Sequence, residues 1–588
     1  NELEGFETRN KSDLLLRRRR TFFPSLLLQF PSLLCFKITK SSAFFVLPSR
    51  SICKPNLSPS DREIENVNFC LFSLIRLQSL FEFSKGRASL IRARESMTKA
   101  MESKSRKESI LIKYAIFSRL LVLFLTLLWR SLLQPYDTSA ALNPPCLNHK
   151  EDSSPFLVAN AASRSLENSV VWDSVYFLRI TECGYEYEQT YAFLPLLPFF
   201  ISILSRTVFA PLVPFIGLRA VMVLSGYTVS NLAFVFAAIY LFRVSVIILK
   251  DTEASFRASI IFCFNPASIF YSSIYSESLY ALFSIGGVYH LLSGTSNVAV
   301  LWFALSGYAR SNGVLNAGYI CFQTMHRAYE ALYQKRRIYL TMQVLVAGLV
   351  RCLCICLPFV AFQAYGYYNI CHGHTIDEMR PWCKGRIPLL YNFIQIHYWG
   401  VGFLKYFQFK QLPNFLLATP ILSLAVCSIM SYMKSRPELF ISLGFQATKK
   451  EKRSAAMLYS LKDVVEPSVK TSTNEGNRDI RQRKPSSKKD VTVTRVAAES
   501  SSPEKSGYFS ADVFPFIVHL GLMATTAFFI MHVQVATRFL SASPPLYWFA
   551  SYLIASPKHS KWGYLIWSYC AAYILLGTLL FSNFYPFT

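Results

Sequence analysis

The sequence predicts an all-α, polytopic membrane protein, and three observations carry that prediction. Of 588 residues, 52% are hydrophobic and only 16% are charged, whereas a soluble domain carries roughly a quarter charged residues. The apolar residues are gathered into long runs: Tyr114 to Trp129 contains one charge, Arg119, and Ile201 to Phe242 only Arg206 and Arg219. The basic residues behind the net charge of +26 lie between these runs, where cytosolic loops collect lysine and arginine. That placement argues against nucleic acid as a partner. Runs of about 20 residues match the hydrocarbon thickness of a bilayer. Backbone in lipid must satisfy its own hydrogen bonds, so each run is expected to be a helix.

Taken in order, the first segment reads differently from the rest. Residues 1–96 lack methionine and mix Arg17–Arg20 with short apolar fragments. They are expected to be a translated or non-native leader before a start at Met97; the acidic residues from Asp61 to Glu65 speak against a transit peptide. Residues 97–445 form the expected transmembrane core. Its first helix, about 111–134, follows cytosolic lysines and delivers the chain to a luminal loop at about 135–190. That loop carries Glu151, Asp152, Glu167, Asp173, Glu182, Glu186 and Glu188.

Apolar segments follow at about 191–214, 219–248, 256–274, 276–294 and 297–321. Parity requires an odd number of crossings before the basic turn His326–Arg337; five satisfies it, and three would if 256–294 is partly re-entrant. A helix near 341–363 leads to a second luminal loop at about 366–411, and one near 412–433 returns. Residues 446–510, rich in Ser, Lys, Arg and Glu, are expected to be a disordered cytosolic insert. The C-terminal segment, 511–588, has helices at about 512–533 and 562–583 enclosing a third luminal stretch, Gln534 to Lys561. Fourteen cysteines show no CxxC pair or zinc spacing, which argues against a structural metal.

The first luminal loop contains the densest polar and aromatic motif, Trp172-Asp173 followed by Cys183-Gly184-Tyr185-Glu186-Tyr187. A ring beside a carboxylate suits a sugar, whose apolar edge covers the ring while a hydroxyl meets the acid. An interfacial helix capped by Asp173 fits the same residues. Glu277, inside an apolar segment, is expensive there unless paired or functional. Arg310 is its expected partner in a structural pair.

The string WDSVYFLRITECGYEYEQTYAFLPLLP (172–198) closely resembles the PIG-V family of GPI mannosyltransferases. The resemblance continues in FNPASIFYSSIYSESLYALFS (264–284), ARSNG (309–313), RPWC (380–383), HYWGVGFLKYFQFKQLPNFLLATP (397–420) and VQVATRFLSASPPLYW (533–548). It covers about 100 to 588, apart from the insert. The resemblance implies a GT-C-like helix bundle in the endoplasmic reticulum membrane with a luminal active site. It also implies a donor, dolichyl-phosphate mannose, and an acceptor, mannosylated glucosaminyl-phosphatidylinositol, that receives a second, α-1,6-linked mannose. A small membrane subunit is a further expected partner.

An acceptor hydroxyl needs a positioned base, usually a carboxylate or histidine. A dolichyl phosphate leaves as a stable anion, so one carboxylate suffices where glycoside hydrolysis needs two. With the resemblance counted, Asp173 is the candidate base and Trp172 its companion in substrate binding. Glu182, Glu186 and Glu188 are runners-up, or else plain solvated charges. Cations or donors near the phosphate would stabilise developing charge; Arg538, His397, Lys405, Arg310 and Gln534 are the candidates, with snorkelling the competing account of Arg538. No DxD pair occurs in a predicted luminal loop, so neither metal nor cofactor is expected. Cys371 with Cys383 is a chemically permitted disulfide, and Cys146 with Cys183 is equally so. A transporter or lipid scramblase is the competing class, but the single large motif-bearing loop lacks the repeat symmetry of transporters.

Overall fold

Long apolar runs become long helices, and among the described residues every regular element is helical. The computed structural model describes Thr98, residues 101–134, Tyr136, Cys146, 161–372, 379–461, 507–557, 560–585 and Phe587. The expected leader and most of the expected insert lie outside the described residues. Helix α1 (Met101–Leu132) is followed by α2 (Ala161–Asn168) and α3 (Asp173–Cys183). A bent pair, α4 (Leu196–Arg206) and α5 (Val213–Ile216), precedes the 32-residue α6 (Leu218–Leu249). Shorter helices come next: α7 (Thr252–Cys263), α8 (Ser268–Ser272), α9 (Glu277–Leu292) and α10 (Ser296–Ala309). Then α11 (Ala317–Tyr329) ends in a π-turn over Glu330–Gln334 before α12 (Ile338–Cys371). After α13 (Leu390–His397) and α14 (Leu412–Ser435) come three short helices, α15 (Pro437–Ile441), α16 (Lys449–Ser454) and α17 (Ala456–Tyr459). The chain finishes with α18 (Phe514–Phe529), α19 (Ala536–Leu540), α20 (Pro544–Ala555) and α21 (Ser560–Ser582). Six stretches among the described residues are long and apolar enough to cross a membrane, including α1, α6, α12 and the stretch ending in α21.

Polar contacts sort the helix ends into two groups. At one end, called the base end here, Lys107 pairs with Glu253 at 2.5 Å, Arg243 with Glu108 at 2.6 Å and Lys250 with Asp512 at 2.7 Å. The amide of Leu461 donates to Glu330 there. At the other, the site end, Arg130 donates to the Ser582 carbonyl, Trp172 Nε1 to the Phe581 carbonyl, and Arg538 meets Asp173. The start of α1, the turn after α11 and the segment after α14 therefore share the base end. The apolar flank of α12, including Leu345, Leu349, Leu353 and Leu357, is exposed as lipid contact requires.

One intramembrane charge explains a break. Asn265-Pro266 interrupts the run 256–274, since proline cannot donate and disfavours a helical residue before it. Arg119, buried in α1, donates to the carbonyls of Cys263 and Ser268 at 3.1 and 2.9 Å and to the Ser272 hydroxyl at 3.0 Å. Its guanidinium lies 3.8 Å from the Phe234 ring centroid. The carbonyls freed by the break thus gain a donor, and α8 is held where it leads directly into Tyr275 and Glu277.

The structure redraws several expected boundaries. The segment 191–214 is not a crossing: α4 and the turn Ala210–Ile216 bend by 64°, and both Phe193 and the Ile216–Arg219 junction lie at the site end. The segment 297–321 instead contains the end-to-end helix α10 and the beginning of α11, so five passages remain between 218 and 329. Gly313 permits that reversal, because a Cβ there would sit 2.2 Å from the Ser306 backbone.

The stretch 534–561 is not a luminal loop. It contains α20, which returns to the base end, where Ser551 donates to the Ala254 carbonyl at 2.9 Å. At 12 residues, α20 is too short for a bilayer-length window. Helix α21 therefore runs toward the site end, opposite to the expected direction. The expected insert also begins later than 446: Thr448 forms a capping box with Glu451, and Leu458, Tyr459 and Leu461 are buried. Tyr508 is buried on its far side.

Candidate active site

At the site end, α3, the α8–α9 junction, the end of α10, α13 and the α18–α19 junction surround a cavity of about 190 Å³. Asp173, Glu277, Arg310 and Arg538 all line it. Arg538 Nη1 lies 3.0 Å from Asp173 Oδ2 and 3.9 Å from Glu277 Oε1. Glu277 in turn pairs with Arg310. Two carboxylates and two guanidinium groups thus neutralise one another around open space. Asp173 keeps 34% of its side chain exposed, whereas Glu277 keeps 3%. The accessible carboxylate is the one able to meet an incoming hydroxyl.

Local structure aims these groups. Trp172 takes a positive φ of 54°, which turns the chain sharply into α3. The Asp173 amide donates to the Tyr275 hydroxyl at 3.0 Å. Arg538 lies over the Phe270 and Tyr275 rings at 5.3 and 5.7 Å, so its guanidinium is fixed by both charge and ring faces.

Of the residues expected from the sequence, Asp173, Arg538, Arg310 and Glu277 converge on the cavity. Trp172 does not line it; the indole is drawn away by its bond to the Phe581 carbonyl and by its packing on Phe584. His397 is exposed and stacked on Phe393 at 5.0 Å. Lys405 is exposed, and Gln534 accepts from the Tyr406 hydroxyl at 2.7 Å, so both also stand outside. The runner-up carboxylates have other partners. Glu182 pairs with Arg219 at 3.0 Å and Glu186 with Arg179 at 2.6 Å. Glu188 accepts from Trp382 at 2.6 Å and from Tyr398 at 2.7 Å.

Both cysteine alternatives form. Cys146–Cys183 and Cys371–Cys383 are disulfides with Cα separations of 5.4 and 5.9 Å. Among the described residues, one cluster of possible metal donors occurs, Cys146, Cys183 and Glu186. Its two sulfurs are bonded to each other and offer no thiolate.

The rings that do line the cavity include those of Phe177, Phe193, Tyr391 and Trp399. Phe193 stacks on Tyr176 at 4.7 Å and meets Trp399 edge-on at 6.2 Å. Phe193, Tyr275 and Trp399 lie within the motif strings already quoted, so their position was legible even though their role was not. His532 carried no such signal, falling one residue before VQVATRF. It lines the cavity, and burial holds its imidazole below the ordinary value, opposed by a hydrogen bond with the Trp399 backbone. A neutral histidine there is a second group able to accept a proton.

A sequence-family model described as Mannosyltransferase (PIG-V) matches residues 106–588. The chain is 28% identical over 543 residues to the GPI alpha-1,6-mannosyltransferase 2 of Homo sapiens, covering 82% of this chain and 99% of the relative. It is also 28% identical to the GPI mannosyltransferase 2 of Drosophila melanogaster, covering 81% of this chain and 99% of that relative. No solved structure matches. The match runs from within α1 through α21 and takes in every charged group of the cavity, so the chain belongs to the PIG-V family of mannosyltransferases.

Proposed function

We propose that this chain transfers a mannosyl group from dolichyl-phosphate mannose to the 6-hydroxyl of the mannose on mannosylated glucosaminyl-phosphatidylinositol, with the site end facing the lumen of the endoplasmic reticulum. The observation that carries this reading is the convergence of Asp173, Glu277, Arg310 and Arg538 on one cavity at the end of a lipid-facing bundle. Asp173 takes the proton from the acceptor hydroxyl as the new oxygen–carbon bond forms at the anomeric carbon. The bond from that carbon to the phosphate oxygen breaks, and dolichyl phosphate leaves with the electron pair. Attack on the face opposite the leaving group turns a β-linked donor into an α-linked product.

Arg538 and Arg310 supply the positive charge that the leaving phosphate requires, so this reading needs no metal ion or cofactor. Before the donor arrives, their charge is balanced by Asp173 and Glu277. Phosphate competes for Arg538, which frees Asp173 to meet the hydroxyl. Phe193 and Trp399 offer ring faces for the sugar. The expected luminal side agrees with the base end collecting Lys107, Lys250 and the Lys335–Arg337 turn, as cytosolic segments do.

Expression in a cell line blocked at the second GPI mannose tests the proposal. Surface GPI proteins should return and the one-mannose glycolipid should disappear. In membranes unable to make dolichyl-phosphate mannose, no two-mannose product should form. Persistent one-mannose glycolipid despite full expression would overturn the acceptor assignment.

A further inference from the structure

Two rings of the cavity wall, Phe193 and Trp399, come from segments distant in sequence. Phe193 follows the helical turn Glu188–Ala192, and Trp399 follows the end of α13. The Tyr185 hydroxyl donates to the Phe193 carbonyl at 2.7 Å, which fixes the backbone on that side. On the other side a turn aims Trp399. Gly400 takes a positive φ of 63°, and the Val401 amide donates to the Gln395 carbonyl at 2.9 Å. Gln395, Trp399 and Val401 thereby face the cavity together.

Glu188 joins the two segments. Its Oε1 accepts from the Trp382 indole at 2.6 Å, and its Oε2 accepts from the Tyr398 hydroxyl at 2.7 Å. The Glu188 side chain is only 6% exposed, with the exposed Arg380 at 3.8 Å. Hydrogen bonds to a carboxylate are roughly twice as strong as neutral ones. Trp382 is itself held in place: it is buried, and its neighbour Cys383 is bonded to Cys371 at the end of α12. Glu188 is thus fixed on one side to a covalently tethered loop, and on the other it grips the residue before Trp399. Tyr398 is exposed, so its bond to Glu188 decides where the adjoining Trp399 ring sits more than whether the loop folds.

The two substrates depend on this wall unequally. In the proposed reaction the donor brings a phosphate to Arg538 and Arg310, whereas the reacting mannose of the acceptor is uncharged. A neutral sugar is held by ring faces and hydroxyl partners. We propose that Glu188 is a positioning residue which, through Tyr398, holds Trp399 against Phe193 as the binding wall for the acceptor's mannose. The inference rests on the transferase reading above.

The test varies a synthetic one-mannose glycolipid and dolichyl-phosphate mannose separately, in microsomes carrying the full chain, with rates normalised to folded protein. Glu188→Ala should raise the KM for the glycolipid by roughly 10-fold, as loss of an aromatic contact allows. Its kcat and its KM for the donor should stay within about 2-fold of wild type. Glu188→Gln should restore most of the affinity, because its amide oxygen still accepts from the indole and its NH2 donates to a Tyr398 hydroxyl turned to receive it. Should Glu188→Ala fail to accumulate, Tyr398→Phe removes only the bond beside Trp399 and should raise the same KM by a smaller factor. An unchanged glycolipid KM in Tyr398→Phe, or in folded Glu188→Ala, overturns the inference, as does a loss confined to kcat or to abundance. Glu188→Gln as impaired as Glu188→Ala would assign the effect to charge and overturn it too. A wild-type chain forming no two-mannose product would overturn the acceptor reading and this inference with it, whereas wild-type activity without the KM split sinks this inference alone.

Discussion

The two ends of the bundle hold their charges in different ways. At the base end, ion pairs brace junctions: Glu108 with Arg243 and Lys250 with Asp512 join elements distant in sequence, and Arg436 ties the start of α15, through Glu438, to Glu451 of α16. Each one straps a junction. At the site end, four ionised groups share the wall of a single cavity, and Arg538 reaches toward both carboxylates. Removing a strap loosens one junction. Removing a member of the cluster leaves a partner charge uncompensated and changes what the cavity can bind. The same residue types thus brace junctions at one end and, in the proposed reaction, act on substrate at the other.

The largest effect should come from Asp173→Asn, which keeps shape and most hydrogen bonding but cannot take a proton. Loss of a general base typically costs on the order of 10²–10⁴-fold in rate. Surface GPI proteins should vanish and a one-mannose glycolipid should accumulate, while expression and membrane insertion persist. A variant forming the two-mannose glycolipid at near-normal rate would remove Asp173 as the base. His532→Gln would then be the next assay, since Glu182 and Glu186 are already committed to Arg219 and Arg179.

Glu277→Gln tests the other half of the cluster. Breaking a buried pair on one side costs on the order of 3–5 kcal/mol, so protein abundance should fall before any rate is measured. Changing both partners, Glu277→Gln with Arg310→Gln, should recover part of that abundance, read by fluorescence-detected size exclusion. If Glu277→Gln left abundance intact but eliminated turnover, Glu277 would act on substrate rather than as a structural partner.

At the base end, removing residues 449–461 should lower abundance, because it takes away Glu451, Leu458, Tyr459 and Leu461 together. Tyr459 is buried and donates to the Ala511 carbonyl at 2.9 Å. Removing only 465–503 tests the composition-based expectation for the insert. A chain lacking 449–461 that accumulates normally would show that this strap is dispensable.

How much of this was legible in the sequence follows from what each signal measures. Bilayer-length windows find α1, α6, α12, α14, α18 and α21, because those helices cross with an unbroken apolar run. They miss α20, whose 12 residues pack against α7 rather than span lipid alone. They merge α10 with α11, because the reversal at Gly313 is itself apolar. Glu277 and Arg310 were legible because a charge in an apolar segment demands a reason, whereas Asp173 stood between a sugar site and a helix cap until the family resemblance was counted, and Arg538 between a phosphate ligand and a snorkelling charge. Trp172 was misread because pattern cannot show which way a ring points, and here a positive φ and the Phe581 carbonyl decide it. His397 and Lys405 carried suitable chemistry but no sign of their distance from Asp173. His532 is a lone histidine after a hydrophobic helix, and only the fold reveals what it faces.

The smallest expected effect is at Glu451, and it separates a strap from a catalytic charge. Burial would raise its carboxyl, but the Thr448 amide and Arg436 outweigh burial and hold it below the usual carboxylate range. A depressed carboxylate stabilises the fold above its unfolded value and loses that contribution as pH falls through the folded value. A partly exposed pair is worth about 0.5–1 kcal/mol, so Glu451→Gln should lower the melting midpoint slightly at pH 7. Because nothing titrates at Glu451 between neutrality and the unfolded carboxylate range, the gap between wild type and variant should stay constant there. Below that range the wild type protonates and the gap should close. Turnover by the folded fraction should be unchanged at pH 7, since Glu451 and Asp173 lie at opposite ends. A gap that persists at the most acidic pH would assign the stability to packing of α16 rather than to its charge, and a loss of turnover would couple the two ends.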